Sequence, residues 1–503
     1  MLCSRGFRKG KDRGRPSSLW SRRLELAQVR QVIVLREPIN VAIEERNELA
    51  YVTWLAGSAS LGGFLFGYDS AVINGAVSGI QRAFHSTNAG TGFEVASILL
   101  GCALGALVAG RLADYIGRRP TMILTAVIFG VTAAWSGLSG NPGTFIFARF
   151  LSGIAVGSAS VVSPAYIAEI SPARIRGQLA SLQQLGIVLG IFMALLCDDL
   201  IARAAGGVSI PYWLGLGAWR WMFLVEVIPA AVFTFCSILV PESPRYLVAV
   251  RREAEALEVL RRIEPRSDEK NIEQIRRTVE TDRRPRLSDL RNPKGGLLPI
   301  VWVGIGLSVL QQLVGINSIF YYGSVLWRSV GFTSASSLLI NVATGLVNII
   351  STLVAMGLID RVGRKPLLVW GSMGMAANLA IIAAVFSIAP HAAQGQVTLS
   401  HAEGLVALLA ANLYVFSFGV SWGPCVWVML GEMFSNQTRG AALAIAVFAQ
   451  WIANWAVTVS FPVVLGASGP GAAYGIYLAF ALVSIFFVMV KVRETKGRTL
   501  EEV

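Results

Sequence analysis

The chain has 503 residues, of which 54% are hydrophobic and only 15% are charged. A soluble protein normally carries about 25% charged residues, so this composition excludes an ordinary soluble fold and favours a membrane protein. The formal net charge of +13 would also suit a nucleic-acid-binding protein, but the basic residues follow the membrane pattern described below.

Twelve long apolar runs follow one another along the chain. Each is close to the roughly 20 residues that a helix needs to cross a bilayer. We therefore predict an all-α membrane protein with twelve transmembrane helices in two six-helix halves. The predicted spans are residues 51–77, 95–113, 121–139, 144–168, 178–198, 219–240, 298–326, 336–359, 367–389, 404–431, 441–464 and 472–491.

The polar segments around the spans define the predicted domain organisation. The longest of them separates six spans from six, and short amphipathic patterns in it predict small cytoplasmic helices between the halves. The first segment is basic and forms an N-terminal extension. The predicted parts are the extension 1–48, the first half 49–240, the linker 241–298, the second half 299–491 and the tail 492–503.

The basic residues predict the orientation of the chain. If the N-terminus and every second loop face the cytoplasm, 38 of the 43 lysines and arginines lie on the cytoplasmic side. This is the positive-inside pattern of membrane proteins. It places both termini in the cytoplasm and the protein in the cell membrane (plasma or inner), and it explains the net charge without nucleic acid.

The chemically reactive side chains argue against an enzyme or a metal protein. The five cysteines are scattered without a Cys-x-x-Cys spacing, which predicts neither a disulfide framework nor a zinc site. The three histidines fall in predicted outward loops, and nothing resembles a nucleophile–base pair. We expect no metal, no cofactor and no catalytic residue.

Two charged residues, Asp69 and Arg149, lie inside predicted spans. Charges within a membrane are costly and usually functional. Measured from the same side of the membrane, Asp69 lies ~9 Å and Arg149 ~7.5 Å deep at the helical rise, so the two can meet. Paired with Arg149 the carboxylate stays ionised, and freed from it the carboxylate can bind a proton. We predict a proton-coupling pair in a transporter, with a static structural ion pair as the alternative.

The two halves repeat a charged pattern after corresponding spans. An Asp-x-x-Gly-Arg turn follows spans 2 and 8, and a glutamate seven residues before an arginine follows spans 4 and 10. Repeated halves are typical of secondary transporters. The repeated residues are Asp114, Arg118, Glu169 and Arg176 in the first half, and Asp360, Arg364, Glu432 and Arg439 in the second.

Amide side chains lie in several spans, where a lipid-facing position would be unfavourable. Each amide both donates and accepts hydrogen bonds, which suits a ligand rich in hydroxyl groups. Gly315 predicts a helix break among them, and broken helices occur near substrate sites. The alternative is that the amides only join helix to helix. These residues are Gln184, Gln311, Gln312, Asn317, Asn348, Gln450 and Asn454.

Five ordered motifs over about residues 50–500 resemble the sugar porter family of the major facilitator superfamily. The nearest subtype is the bacterial proton-coupled monosaccharide symporters. Ile191 departs from the pentose pattern, which carries glutamine there, and residues 1–48 exceed the usual N-terminal length. The motifs are FGYDSAVING (66–75), RFLSGIAVGSASVVSPAYIAEISPARIRG (149–177), PESPRYL (241–247), QQLVGINSIFYY (311–322) and WGPCVWVMLGEMFSNQTRG (422–440).

The resemblance implies import of a hexose or pentose by proton symport through alternating access, in a protein that functions as a monomer. A facilitative uniporter and a transporter-like sugar sensor are the alternatives. The sugar itself stays open. The implied sugar ligands are Gln184, Gln311, Gln312, Asn317, Asn348, Trp427 and Gln450.

The resemblance also implies a gate at the cytoplasmic helix ends. When the carrier faces outward, charges of the two halves are expected to pair across the halves and to hold the inner side shut. The alternative for each single residue is a role in topology alone. The implied gate residues are Asp114, Arg118, Glu169, Arg176, Glu242, Arg245, Asp360, Arg364, Glu432 and Arg439.

Overall fold

A computed structural model describes residues 18–172, 175–264, 269–281, 290–292, 295–389, 399–434 and 438–496. The chain divides into two units, residues 1–53 and 54–503. In the first unit, the described residues 18–53 are helical. The features discussed below lie in the second unit.

Helices account for most of the described chain. The first half contains α1 (Ser18–Phe84), α2 (Asn88–Ile116), α3 (Arg118–Leu138), α4 (Pro142–Ile170), α5 (Arg176–Ala205), α6 (Ala218–Val225) and α7 (Val227–Leu239). Three short helices follow, α8 (Pro244–Ala249), α9 (Glu253–Ile263) and α10 (Glu269–Thr281). The second half contains α11 (Pro299–Leu313), α12 (Ile316–Ser329), α13 (Ser334–Val362), α14 (Arg364–Ile388), α15 (His401–Val420), α16 (Trp422–Glu432) and α17 (Arg439–Lys491).

The helices provide the twelve predicted membrane spans. In the described part of the chain, eleven helical segments are long and apolar enough to cross a bilayer, and the last of them has 51 residues. Such a helix is about 77 Å long, more than twice the ~30 Å of a bilayer core. Its backbone breaks at Gly469, with φ 78° and ψ 174°, inside the predicted gap 465–471. The segment therefore supplies two spans.

Glycines bring α2 and α4 into backbone contact. A Cβ atom on Gly153 would lie 2.0 Å from the carbonyl oxygen of Ile98, and one on Gly101 would lie 2.0 Å from that of Phe150. No larger residue fits such spacings, so the helices touch along a stripe of small residues, a common solution in membranes. The residues of this α2–α4 seam are Gly101, Gly105, Gly153 and Gly157.

A second seam joins α1 to α5. A Cβ atom on Gly67 would lie 1.9 Å from the carbonyl oxygen of Ile187, and one on Gly190 would lie 2.1 Å from that of Phe64. Since the helices are in backbone contact, α1 cannot slide freely along α5. The two seams fix the depths of α1 and α4, which carry Asp69 and Arg149.

The three short helices form a small apolar core of their own. Leu247 and Val248 of α8 pack with Ala256 of α9 and Ile272 of α10. Arg276 joins α10 to α9 through two bonds to Glu253, at 2.6 and 3.0 Å. The amphipathic patterns at 254–263 and 272–279 therefore correspond to real helices.

The α2–α4 seam generates a stability prediction. Gly153→Ala places a methyl group against a carbonyl oxygen, and overpacking of this kind costs about 1–3 kcal/mol. We expect a lower Tm for the purified protein in detergent. Gly110→Ala is the matched control, because a Cβ atom there meets open space on the same pair of helices. Equal Tm values for the two variants would show that the seam tolerates a side chain.

Candidate functional site

The predicted contact between Asp69 and Arg149 is present. Asp69 has no exposed surface and Arg149 is 1% exposed. Arg149 Nη1 donates to Asp69 Oδ1, and Ser152 Oγ lies 3.4 Å from Asp69 Oδ2. The guanidinium also stacks over the Phe223 ring, 5.4 Å from its centroid. Removing one partner of a fully buried pair leaves an uncompensated charge, at a cost of about 3–5 kcal/mol.

A third buried ionisable residue, Glu226, lies near this pair. It occupies the junction between α6 and α7 and has no exposed surface. Asp69 and Arg149 are both within its electrostatic range. Neither of its oxygens receives a hydrogen bond from the N–H and O–H groups of the described residues. Two buried carboxyl groups thus lie near one guanidinium, which among the described contacts bonds only Asp69. Glu226 was not among the residues predicted from the sequence, although it lies inside the predicted span 219–240 and the rule that identified Asp69 applies to it equally.

The predicted helix break brings three amides together. Gly315 adopts a left-handed conformation, φ 86° and ψ 16°, between α11 and α12. Gln312 Nε2 donates to Gln311 Oε1 at 3.3 Å, and Asn317 Nδ2 donates to Gln312 Oε1 at 2.5 Å. Gln311 Nε2 donates to the Trp422 carbonyl oxygen at 2.8 Å. The chain of amides therefore reaches from the break in α11–α12 to a second break, at Ser421 between α15 and α16.

The other predicted ligands lie on four further helices. Asn348 of α13 and Gln450 of α17 are buried, and Gln450 Oε1 has no hydrogen-bond partner in the described part of the chain. Gln184 of α5 and Trp427 of α16 are partly exposed. These four residues make no direct bond to the Gln311 group among the described contacts.

An aromatic contact connects the amides to the buried charges. Phe66, one turn before Asp69, packs edge-on against Trp451, with the ring centroids 5.3 Å apart. Trp451 follows Gln450 directly. The ring contact therefore joins α17, which carries Gln450, to the part of α1 that carries Asp69.

A cluster of hydrogen bonds around Asn74, here the Asn74 clasp, ties the two halves together. Asn74 Nδ2 donates to the Phe320 carbonyl oxygen at 3.0 Å, and Ser324 Oγ donates to the Asn74 carbonyl oxygen at 2.5 Å. Asn74 Oδ1 accepts from Ser324 N at 3.0 Å and from Asn341 Nδ2 at 2.9 Å. One buried asparagine of α1 thus holds α12 and α13. The sequence analysis did not select it.

The repeated charged motifs adopt matching structures in the two halves. Arg118 contacts Asp114 at 3.0 Å and Glu169 at 3.1 Å. Ser243 Oγ donates to the second oxygen of Glu169. In the second half the corresponding contacts, at 2.6–2.9 Å, are made by Arg364, Asp360, Glu432 and Thr495.

Two further glutamates cap the helices that follow these turns. Glu242 Oε1 accepts from Arg118 N at 3.0 Å, and Glu494 accepts from Arg364 N and Lys365 N at 3.1 and 2.9 Å. They satisfy N–H groups that a helix start leaves unpaired. Burial raises the pKa of the Glu242 carboxyl above its ordinary value. Burial also disfavours the charge of Glu494, but four backbone N–H groups outweigh it and lower the pKa of that carboxyl.

In this conformation the charges pair within each half, and the pairing across the halves that was expected for an outward-facing carrier stays a prediction. Arg118 and Arg364 each find two carboxylates of their own half within 3.1 Å, so neither reaches the other half in this conformation. Arg245 is exposed on α8. The side chains of Arg176 and Arg439 lie outside the described residues.

The Asn74 clasp generates a conformational prediction. Asn74→Ala removes four side-chain hydrogen bonds, each with a net value of about 1 kcal/mol. We expect the halves to separate at this end. Electron-resonance distances between spin labels at the exposed residues Ala83 and Ala335 should lengthen.

The control for this test is Asn378→Ala. That amide bonds only the Gly374 carbonyl oxygen of its own helix, at 2.8 Å, so its loss should leave the distances unchanged. A distance distribution that is the same in wild type and Asn74→Ala would mean that the clasp does not hold this end closed.

Comparisons with known proteins agree with this architecture. The family "Sugar (and other) transporter" matches residues 55–503. The chain is 55% identical to the glucose transport protein of Synechocystis over 453 residues, with 90% of this chain and 97% of that protein covered. It is 36% identical to the D-xylose-proton symporter of Escherichia coli over 491 residues, with coverages of 90% and 95%.

A solved structure extends the likeness to three dimensions. The xylose transporter XylE of Escherichia coli, in a partially occluded inward-open conformation, superimposes with a TM-score of 0.77 at 34% identity. The match covers 90% of this chain and 100% of that structure. With twelve spans, repeated charged turns and a match over nearly its whole length, the chain belongs to the sugar transporter family of the major facilitator superfamily.

Proposed function

We propose that this protein imports a monosaccharide by symport with protons, through alternating access of a site between its two halves. The observation that carries the proposal is the fully buried Asp69–Arg149 pair inside two spans. A passive carrier has no need of an ionisable pair there, whereas a proton-coupled one must bind and release a proton within the membrane.

The surroundings of the pair suit a reversible proton site. With Glu226 beside Asp69, two carboxyl groups compete for the single guanidinium of Arg149. Like charges this close cannot both ionise easily in a buried site. A proton bound by either carboxyl lets the guanidinium serve the other.

The amide group supports a neutral, hydroxyl-rich substrate. We propose Gln184, Gln311, Gln312, Asn317, Asn348, Trp427 and Gln450 as its ligands. Gln311, Gln312 and Asn317 already form a hydrogen-bonded row, and Gln450 Oε1 is an acceptor without a partner in the described part of the chain. A sugar hydroxyl can both donate to such an oxygen and accept from an amide nitrogen.

The conformation supports alternating access, in which the two ends of the protein open in turn. The Asn74 clasp joins the halves at one end, and the repeated charges pair within each half at the other. We propose that both termini and the repeated charges face the cytoplasm, that the structure represents an inward-facing state, and that the charges bridge the halves when the carrier faces outward. The gate would comprise Asp114, Arg118, Glu169, Arg176, Glu242, Arg245, Asp360, Arg364, Glu432 and Arg439.

One chain carries every proposed ligand, so we propose a functional monomer.

The amide row generates a binding prediction. Gln312→Ala and Asn317→Ala should each weaken sugar binding by about 1 kcal/mol or more, roughly fivefold, because each removes one hydrogen bond. Calorimetry on the purified protein with a panel of hexoses, pentoses and polyols measures this and identifies the preferred sugar. Asn378→Ala is the control. Wild-type affinity in both site variants would remove the row from the binding site.

Coupling is tested by Asp69→Asn, which keeps the shape of the side chain but cannot exchange a proton. In proteoliposomes with an imposed pH gradient, the variant should lose sugar accumulation. Sugar counterflow, which needs no net proton movement, should persist. If the variant still concentrates sugar several-fold, coupling resides elsewhere. If wild type itself only equilibrates the sugar, the protein is a facilitative uniporter.

A further inference from the structure

A further buried carboxyl group, that of Asp198 on α5, contacts α1 near the Asp69–Arg149 pair. It has no exposed surface. Asp198 Oδ2 accepts a hydrogen bond from Gly75 N at 3.0 Å, and its Oδ1 has no partner in the described part of the chain. Gly75 follows Asp69 by six residues, ~9 Å along the helix.

The contact with α1 is closely fitted. A Cβ atom on Gly75 would lie 2.6 Å from Asp198 Cγ and 2.6 Å from its Oδ2. The carboxyl group therefore occupies the space that a side chain of α1 would fill. Only glycine at position 75 lets the carboxyl approach this backbone, so the site depends on both residues.

The groups around Asp198 leave it without a counter-ion. Tyr68 of α1, Cys197 of α5 and Glu226 at the α6–α7 junction are its titratable neighbours. The adjacent Asp199 is paired with Arg203 at 2.8 Å and offers no cation to Asp198.

Charge balance then requires protons in this region. Asp69, Asp198 and Glu226 are all fully buried, and Arg149 is the one buried cation in contact with any of them among the described side chains. A buried carboxylate without a counter-ion is too costly to remain ionised and takes up a proton instead. At least one of the two remaining carboxyls, Asp198 and Glu226, must therefore be protonated in this conformation.

The position of Asp198 links it to the Asn74 clasp. Asn74 faces the second half through its bonds to Ser324 and Asn341, whereas its neighbour Gly75 faces Asp198. Any movement of α1 that opens the clasp therefore also shifts the Gly75 N–H group, which donates a hydrogen bond to Asp198. On the other side, Tyr68 is covalently next to Asp69, and its electrostatic neighbours include Asp198 and Glu226. In this conformation the Tyr68 hydroxyl forms no hydrogen bond with either carboxyl group, so a bridge between them requires a movement of α1.

We propose that Asp198 is a second proton-binding site, which loads when the clasp is open and passes its proton through the Tyr68 hydroxyl to Glu226 and Asp69. A hydronium ion at the opened clasp gives a proton to the Asp198 carboxylate and leaves as water. The proton then moves from Asp198 to the Tyr68 oxygen while the Tyr68 proton moves to Glu226, so tyrosine is unchanged and no electron is transferred. The inference rests on the proposed symport and adds the route by which its proton enters.

The first test measures protonation directly and does not depend on transport. In the full-length protein with isotope-labelled aspartate, infrared spectra should contain a protonated carboxyl band that titrates with pH. Asp198→Asn should remove one component of this band, and it keeps an oxygen for the Gly75 N–H. Asp199→Asn, on the same helix turn, should keep that component. An unchanged band in Asp198→Asn, or a component that never titrates, would overturn the proposal.

The second test measures the route. In proteoliposomes, Asp198→Asn and Tyr68→Phe should each slow pH-driven sugar accumulation at least tenfold, while counterflow stays within twofold of wild type. Tyr68→Phe should keep the Asp198 band, since only the relay is removed. Wild-type accumulation rates in either variant would overturn the route, as would a parallel loss of counterflow. If wild type does not accumulate sugar, the symport proposal fails, and the infrared result alone decides whether Asp198 binds a proton.

Discussion

The rest of this structure depends on one energetically unfavourable feature, the burial of an aspartate and an arginine within a membrane. The Asp69–Arg149 pair has almost no contact with solvent, so each charge depends on the other and neither can move alone at low cost. A carrier that must open to one side and then the other needs a structural link between its proton and its shape. A buried ion pair supplies that link, because neutralising the carboxylate weakens its attraction to the arginine that holds α4 to α1.

The glycine seams carry a displacement of one helix to its neighbour. Along the α2–α4 and α1–α5 seams the helices are in backbone contact, so they transmit displacement with little side-chain rearrangement. The second half is built differently near its site: α11–α12 and α15–α16 are broken at Gly315 and Ser421. The half that carries the charges is thus rigidly packed, whereas the half that carries most of the amides has helix breaks where it can bend.

The sequence predicted the features that depend on position along the chain. The spans, the Asp69–Arg149 contact and the break at Gly315 follow from hydropathy, depth and glycine chemistry. The direction in which a side chain points was less accessible, which is why the pairing of Arg118 within its own half was not foreseen. Glu226 could have been found, because a charge inside a predicted span is visible. Asp198 fell at the end of its predicted span and looked like an interfacial residue until the structure placed it against Gly75.

The charged turns of the two halves make matching contacts, but their capping glutamates differ in pKa. Glu242 and Glu494 cap equivalent helix starts, yet burial leaves the first with a raised pKa and backbone N–H groups leave the second with a lowered one. The Glu494 carboxyl therefore ionises more readily than the Glu242 carboxyl. Each arginine of these turns already has two carboxylates within its own half. A bridge across the halves must therefore replace existing bonds of the same arginines. Exchanging one salt bridge for another costs less than breaking a salt bridge outright, which suits a carrier that alternates between two states.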